Sequence, residues 1–69
     1  MKFTLECERE DDGRWLAEVP ELPGVLAYGQ SPDEAVSKAE ILALRVLADQ
    51  LENDHAAPQD IQITVALDA

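Results

Sequence analysis

Apolar and polar residues alternate at both ends of the chain. Phe3, Leu5 and Cys7 are separated by polar neighbours, which is the two-residue period of a strand with one buried face. The same period returns in segment 61–67, where isoleucine, valine and leucine alternate with polar or small residues. We therefore expect a first and a last strand in these segments. Cys7 falls on the core side, where we expect a buried and unreactive thiol.

Two turn signals divide the next part of the chain into short strands. The Asp12-Gly13 pair supplies the positive φ that hairpin turns need, so we expect a hairpin that leads into a strand over 15–19. Segment 20–24 then holds two prolines and a glycine, which favour a rigid corner at a strand end or sheet edge. A third strand over 25–28 is expected after this corner.

The middle of the chain carries a strong helix start. Ser31 suits the N-cap, Pro32 suits the first helical position, and Glu34 suits the reciprocal contact of a capping box. No glycine or proline follows until Pro58, so we expect one helix over about 32–52.

The apolar positions of this helix cover a broad sector. They span roughly 200° on a helical wheel, whereas a stripe of ~100° is enough to pack on one sheet. The positions are Ala35, Val36, Ala39, Leu42, Ala43, Leu44, Val46, Leu47 and Leu51. We expect the surplus around Leu44, Leu47 and Leu51 to mediate self-association, through the helix or a sheet edge. The alternative is that loops or the chain ends cover this flank.

The expected order of elements is β-β-β-α-β. It predicts an α+β fold with one helix packed on a mostly antiparallel sheet, in a single domain over residues 1–69. A chain of this size buries only about 60% of its unfolded surface. With 1 cysteine and 1 histidine, it has neither a disulfide nor a Cys/His metal cluster to reinforce its core. We therefore expect a homo-oligomer, either a dimer or a tetramer.

Charge narrows the classes of partner. The chain has 15 acidic and 5 basic residues, which give a formal net charge of -10. The basic residues are scattered singly, so we expect no direct binding of nucleic acid or of a membrane, because both need a basic face. A basic protein is the favoured partner; the alternative is that the acidity only keeps the chain soluble. The absence of a leader-like or membrane-spanning apolar run predicts a cytoplasmic protein.

The reactive side chains predict a protein without enzymatic activity. Cys7, Ser31, Ser37 and His55 fall in separate elements, whereas a nucleophile needs a base held beside it. His55 follows the predicted helix, and we interpret it as a surface residue. We predict no catalytic residue, no cofactor and no metal site.

The stretch DGRWLAEVPELPGVLAYGQSPDEAVSKA resembles the HicB-like antitoxin family. The family signature is a strand ending in VPxLPG, a second strand ending in glycine, and a helix that opens on a capped acidic-Glu-Ala sequence. The resemblance covers Phe3 to about Leu51 and implies a partial ribonuclease-H-like fold. It also implies the antitoxin of a type II toxin-antitoxin system, which neutralises a basic, mRNA-cleaving HicA-type toxin by direct binding. Many members continue into a C-terminal DNA-binding domain, so this chain is expected to be the short stand-alone form.

Under this hypothesis the contact surface lies around the acidic turn. We interpret the carboxylates there as a solvated docking surface and not as a metal site, because they lack the spacing of a calcium-binding loop. The expected contact residues are Glu10, Asp11, Asp12, Arg14, Trp15, Glu21 and Tyr28. Trp15 is more simply interpreted as a core residue beneath the helix, and Tyr28 suits either place.

A competing hypothesis involves no toxin. The same local features suit a stand-alone homo-oligomeric domain that has a structural role or binds a small ligand. The two hypotheses differ in whether a short gene for a basic protein, with the pattern of a double-stranded-RNA-binding fold, lies beside this gene.

Overall fold

The computed structural model describes residues 1–54 and 58–67. The elements are β1 (Lys2–Arg9), β2 (Trp15–Glu18), β3 (Leu26–Gly29), α1 (Pro32–Asp54) and β4 (Gln62–Leu67). This order confirms the prediction from sequence. His55 lies outside the described residues, so its interpretation as a surface residue stays a prediction.

The strands form one four-stranded sheet in the order β3-β2-β1-β4. β1 pairs antiparallel with β2, and β2 pairs antiparallel with β3. β4 pairs parallel with β1, from Lys2 opposite Gln62 to Cys7 opposite Leu67. A parallel return needs a long crossover, which α1 supplies. The fold is therefore α+β with a mixed, mostly antiparallel sheet, as predicted.

The hairpin between β1 and β2 turns at Gly13. This glycine has a φ of 91°, in the left-handed region that other residues rarely adopt. Its N–H donates to the carbonyl oxygen of Glu10 at 3.0 Å, and the N–H of Glu10 donates to the carbonyl oxygen of Arg14 at 2.7 Å. The Asp-Gly pair therefore makes the turn expected of it.

The corner between β2 and β3 is tied into the core. The N–H of Val19 donates to the carbonyl oxygen of Val25 at 3.0 Å, which continues the pairing of the two strands. Leu22 lies within the corner and is buried, and its N–H donates to the carbonyl oxygen of Val19 at 2.9 Å. Gly24 completes the reversal with a φ of 87°. The corner thus fixes the geometry of β2 and β3 through both backbone and core contacts.

The start of α1 has the predicted cap. The N–H of Glu34 donates to Ser31 Oγ at 3.1 Å, and the N–H of Gln30 donates to Glu34 Oε1 at 3.3 Å. The reciprocal contact therefore reaches the residue before the N-cap. Lys38 Nζ also donates to Glu34 Oε1, at 3.1 Å. These hydrogen bonds, that from Lys38 first and that from Gln30 next, hold the pKa of Glu34 below its ordinary value.

α1 packs on β1, β2 and β3 through a line of mostly small residues. Ala35, Ala39, Ala43 and Leu47 follow at four-residue intervals and are all buried. The prediction that Leu47 mediates self-association is therefore wrong, because this side chain is only 2% exposed and belongs to the core. Among the residues whose burial the structure describes, the core consists of Leu5, Cys7, Ala17, Val19, Leu22, Val25, Ala35, Ala39, Ala43 and Leu47.

Candidate partner-binding surface

The sheet has one covered face and one open face. Residues paired across strands lie on the same face, so the strand registers assign each position to one of the two. The covered face carries Leu5, Cys7 and Ala17 and packs against α1. No helix or strand of the described residues packs on the other face, which we call the open face. It consists of Lys2, Thr4, Glu6, Glu8, Leu16, Glu18, Leu26, Tyr28, Gln62, Thr64 and Ala66.

Carboxylates occupy the middle of the open face. Glu6 on β1 lies directly opposite Glu18 on β2, and Glu8 is the next residue of β1 on the same face. None of them takes part in an ion pair within residues 1–54 and 58–67. Like charges directly opposite each other destabilise a sheet. The arrangement therefore opposes folding slightly, and a cationic group from another molecule would relieve the repulsion.

An apolar strip lies beside these carboxylates. Leu16 is paired with Glu8 on one side and with Tyr28 on the other, and Leu26 is paired with Glu18. Leu26 is 45% exposed and Tyr28 is 39% exposed. The open face thus combines negative charge with apolar and aromatic area that a protein partner can bury.

Arg14 closes one end of the apolar strip. Its Cζ lies over the Tyr28 ring, 4.2 Å from the ring centroid. Its backbone N–H donates to Asp12 Oδ1 at 3.0 Å, and its Nε donates to Asp12 Oδ2 at 2.7 Å. These two hydrogen bonds, the backbone one first, lower the pKa of Asp12. Asp12, Arg14 and Tyr28 therefore form one connected unit at the edge of the open face.

The structure brings together only part of the predicted contact set. Asp12, Arg14 and Tyr28 are in contact, and Asp11 is exposed in the turn beside them. Glu10 is half-buried, and its backbone groups close the hairpin. Asp12 also holds the turn together, so its replacement would disturb the fold as well as the surface charge.

Trp15 and Glu21 do not belong to this unit. Trp15 is paired with Gly29 on the covered face and is partly buried against the core, which agrees with the simpler interpretation from sequence. Glu21 lies in the corner that follows β2, and its Oε2 accepts a hydrogen bond from the N–H of Thr4 at 3.2 Å. Glu21 thereby supplies a hydrogen-bond acceptor for a backbone N–H of β1 that has no partner residue in β2, because β2 ends before it reaches this position.

A second exposed apolar surface runs along α1. Leu44 is 51% exposed and Leu51 is half-buried, so both side chains remain accessible for the predicted self-association. Ile41, which is 50% exposed, was not among the predicted residues. Ile41 is three residues before Leu44, and this spacing places both side chains on the same side of the helix. The spacing was the signal in the sequence by which Ile41 could have been included.

Groups suited to catalysis or metal binding do not assemble in the part of the chain that the structure describes. Cys7 is buried, and this burial raises the pKa of its thiol, with a further contribution from the charge of Glu8. A protonated thiol is a poor nucleophile. No group of His, Cys, Asp or Glu within residues 1–54 and 58–67 is arranged to hold a metal ion. The helix within these ranges is not long and apolar enough to cross a membrane.

The carboxylates of the open face were missed as contact candidates by the reasoning from sequence. The two-residue period already placed Glu6 and Glu8 on the side opposite Leu5 and Cys7. The sequence does not give the strand register, which sets Glu18 against Glu6.

The chain is similar to a UPF0150 protein from Archaeoglobus fulgidus. The two sequences are 35% identical over 40 residues, a match that spans 58% of this chain and 58% of the length of that relative. No protein-family model matches the chain, and no solved structure matches it. The comparison therefore gives a distant relationship.

Proposed function

We propose that this protein is an antitoxin-like inhibitor that neutralises a small basic ribonuclease of the HicA type by binding it through the open face. The observation that carries the proposal is the group formed by Glu6, Glu8 and Glu18, which is uncovered and has no cationic partner within the described residues. A protein that cleaves RNA needs a basic surface to bind the phosphates. Carboxylates on an exposed sheet can bind the same surface in place of RNA.

The overall charge supports a fast encounter with such a partner. The chain carries a net charge of -10, and opposite fields raise association rates by about 10–1000-fold at low salt. Salt weakens this effect because it screens charges that lie farther apart than the Debye length, which is about 8 Å at physiological ionic strength. We therefore expect the association rate of the complex to fall steeply as salt is added.

The apolar strip supports a lasting complex. Surface charges mainly change the association rate, whereas buried aromatic and apolar side chains slow dissociation. Leu26 and Tyr28 are each partly exposed beside the carboxylates, and the guanidinium of Arg14 lies over the Tyr28 ring. These side chains offer a rigid anchor, because the ring and guanidinium already hold each other in place before a partner binds.

Sequence relationships support the choice of ribonuclease as the partner. The Pro-Gly corner and the capped helix carry the resemblance to HicB-like antitoxins, and the distant likeness to a UPF0150 protein is compatible with it. The open face comes from the strand register instead. Two separate observations therefore support one function.

Glu18→Lys separates binding from folding. The substitution replaces the repulsion between Glu18 and Glu6 with a pair of opposite charges, so we expect the free energy of unfolding to rise by about 0.5–1 kcal/mol. It also places a positive charge in the middle of the open face. We therefore expect its affinity for the basic ribonuclease encoded beside this gene to fall at least ~10-fold, with a matching loss of inhibition of RNA cleavage. Titration calorimetry measures the affinity, and an RNA-cleavage assay measures the inhibition.

Asp49→Lys is the matched control. Asp49 is exposed on α1, away from the open face, and its replacement changes the net charge by the same amount. We expect this variant to bind and inhibit almost as well as the wild type. Equal losses in the two variants would show that only net charge matters and would refute the assignment to the open face. A wild-type chain that neither binds nor inhibits the neighbouring basic ribonuclease would refute the proposed function.

A further inference from the structure

The exposed side of α1 carries a regular apolar stripe. Its apolar members are Ile41, Leu44, Ala48 and Leu51, which are separated alternately by three and four residues. Together with the small polar Ser37, four residues before Ile41, we call them the helix stripe. Ile41 and Leu44 are each about half exposed, and Ala48 is exposed as well. Apolar residues with this spacing form the seam by which two helices pack side by side in a coiled coil.

The helix stripe is separate from the residues that hold α1 on the sheet. The sheet-facing line runs from Ala35 through Ala39 and Ala43 to Leu47. At 100° per residue, the centres of the two lines lie roughly 140° apart around the helix axis. A second helix can therefore lie along the stripe while the sheet of each molecule points away from the contact.

Charged residues flank the stripe, and their pattern indicates which partner fits and whether the two helices run parallel or antiparallel. Ile41 and Ala48 take the first position of a heptad, and Leu44 and Leu51 take the fourth. The seventh positions before these heptads hold Asp33 and Glu40, and the fifth positions that would face them hold Lys38 and Arg45. The last such pair of positions holds the buried Leu47 and Glu52, and it adds no pair of opposite charges. In a parallel pair of helices, each seventh position lies beside the fifth position of the next heptad on the other helix. In the first two of these pairs an acidic residue faces a basic one, so this part of the surface is complementary to itself.

A second copy of the chain satisfies this pattern in parallel orientation. Glu40 lies beside Arg45 of the second copy, and Asp33 lies beside Lys38 of the second copy. Both contacts occur twice because the two-fold axis repeats them. An antiparallel pair with the same seam would instead bring Arg45 close to Arg45 of the second copy. Neither Glu40 nor Arg45 forms an ion pair within the described residues, so both side chains can serve an intermolecular contact.

We propose that two copies of this chain associate in parallel through the helix stripe, with Ile41 and Leu44 in the seam and Glu40 paired with Arg45 of the second copy. The seam from Ser37 to Leu51 is about 21 Å long. Because this is a short contact, we expect a dissociation constant in roughly the micromolar range. The association leaves the open face uncovered in both copies, so it is independent of the proposed function.

Sedimentation equilibrium over a range of protein concentrations tests the seam. We expect the wild type to dimerise reversibly and Leu44→Glu to remain monomeric with an unchanged helical circular dichroism spectrum. Leu42→Glu is the matched control, because Leu42 is a partly exposed leucine of the same helix that lies outside the stripe. Its dimerisation constant should match that of the wild type. A wild-type chain that stays monomeric up to ~1 mM would overturn the proposal.

Charge exchange tests the parallel direction. Arg45→Glu and Glu40→Arg each replace two attractive contacts with repulsive ones, so we expect each variant alone to dimerise about 10-fold more weakly. An equimolar mixture of the two variants should recover dimers, because every acidic side chain then meets a basic one. A Glu40→Arg variant that dimerises more tightly than the wild type would overturn the parallel arrangement. A dimer that survives Leu44→Glu but is lost in Val65→Lys would place the contact at the edge of β4 and overturn the proposal.

Discussion

Replacing Leu47 with alanine should remove a large part of the stability of the fold. Leu47 is 2% exposed and is the largest buried side chain that α1 contributes to the core. The other buried residues of α1 are alanines, which contribute little volume of their own. Few neighbouring side chains can therefore move into the space that a shortened side chain leaves, and the cavity term should persist.

The expected loss follows from the burial of this side chain. A fully buried leucine replaced by alanine costs about 2–5 kcal/mol, and a site that cannot collapse lies in the middle or upper part of this range. We therefore expect Leu47→Ala to lower the free energy of unfolding by about 3 kcal/mol. A domain of this size has a total stability of only about 3–10 kcal/mol, so the melting temperature should fall by roughly 10–20 °C.

Urea unfolding of Leu47→Ala and Leu44→Ala, followed side by side, provides the assay. Trp15 lies partly buried against the core and reports unfolding by its fluorescence, and circular dichroism reports the loss of α1. Because Leu44 is 51% exposed, we expect Leu44→Ala to cost less than ~0.5 kcal/mol at a protein concentration where the chain is monomeric. Equal losses in the two variants, or a cost below ~1 kcal/mol for Leu47→Ala, would refute the placement of Leu47 in the core.

Two further predictions concern the start of α1 and the behaviour in acid. A Cβ added at Gly29 would lie 2.6 Å from the backbone nitrogen of Ala35, so Gly29→Ala should cost about 1–3 kcal/mol in urea unfolding. Gly24→Ala meets open space and is opposed only by its φ of 87°, so it should cost about 1–2 kcal/mol, and its crystal structure should show no shift of α1, unlike that of Gly29→Ala. The pKa values of Asp12 and Glu34 are lowered by hydrogen bonds in the folded chain, so their contribution to stability is present above their ordinary pKa values and is lost as the pH falls through the lowered ones. We expect stability to decline below about pH 4 and the decline to be shallower in a variant with both Asp12→Asn and Glu34→Gln; an identical decline in the two proteins would contradict this cause.

The sequence was sufficient where a few neighbouring residues determine the backbone. The Asp-Gly pair predicted a hairpin, and Gly13 has the positive φ that the turn requires. Ser31 predicted the helix start, and its hydroxyl accepts the N–H of Glu34. Such signals act over three or four residues and need no information about the remainder of the chain.

The candidate surface could not be predicted to the same extent, because it depends on contacts between distant parts of the chain. The helical wheel gave the width of the apolar sector of α1 but not its centre, so Leu47 and Leu44 could not be told apart. Packing against the sheet sets that centre on the alanine line and buries Leu47. Likewise, alternation assigned Glu6 to an outer face, but only the register shows that Glu18 faces it.

The central claim is that a basic partner binds the open face. Nuclear magnetic resonance of the chain with labelled leucine methyl groups, titrated with any small basic ribonuclease found to be encoded beside its gene, tests this claim most directly. Leu16 and Leu26 report on the open face, Leu44 reports on the helix stripe, and Leu47 reports on the core. We predict large shifts of the Leu16 and Leu26 methyl signals, with Leu44 and Leu47 nearly unchanged. Saturable shifts confined to Leu44, with Leu16 and Leu26 unchanged, would contradict the claim.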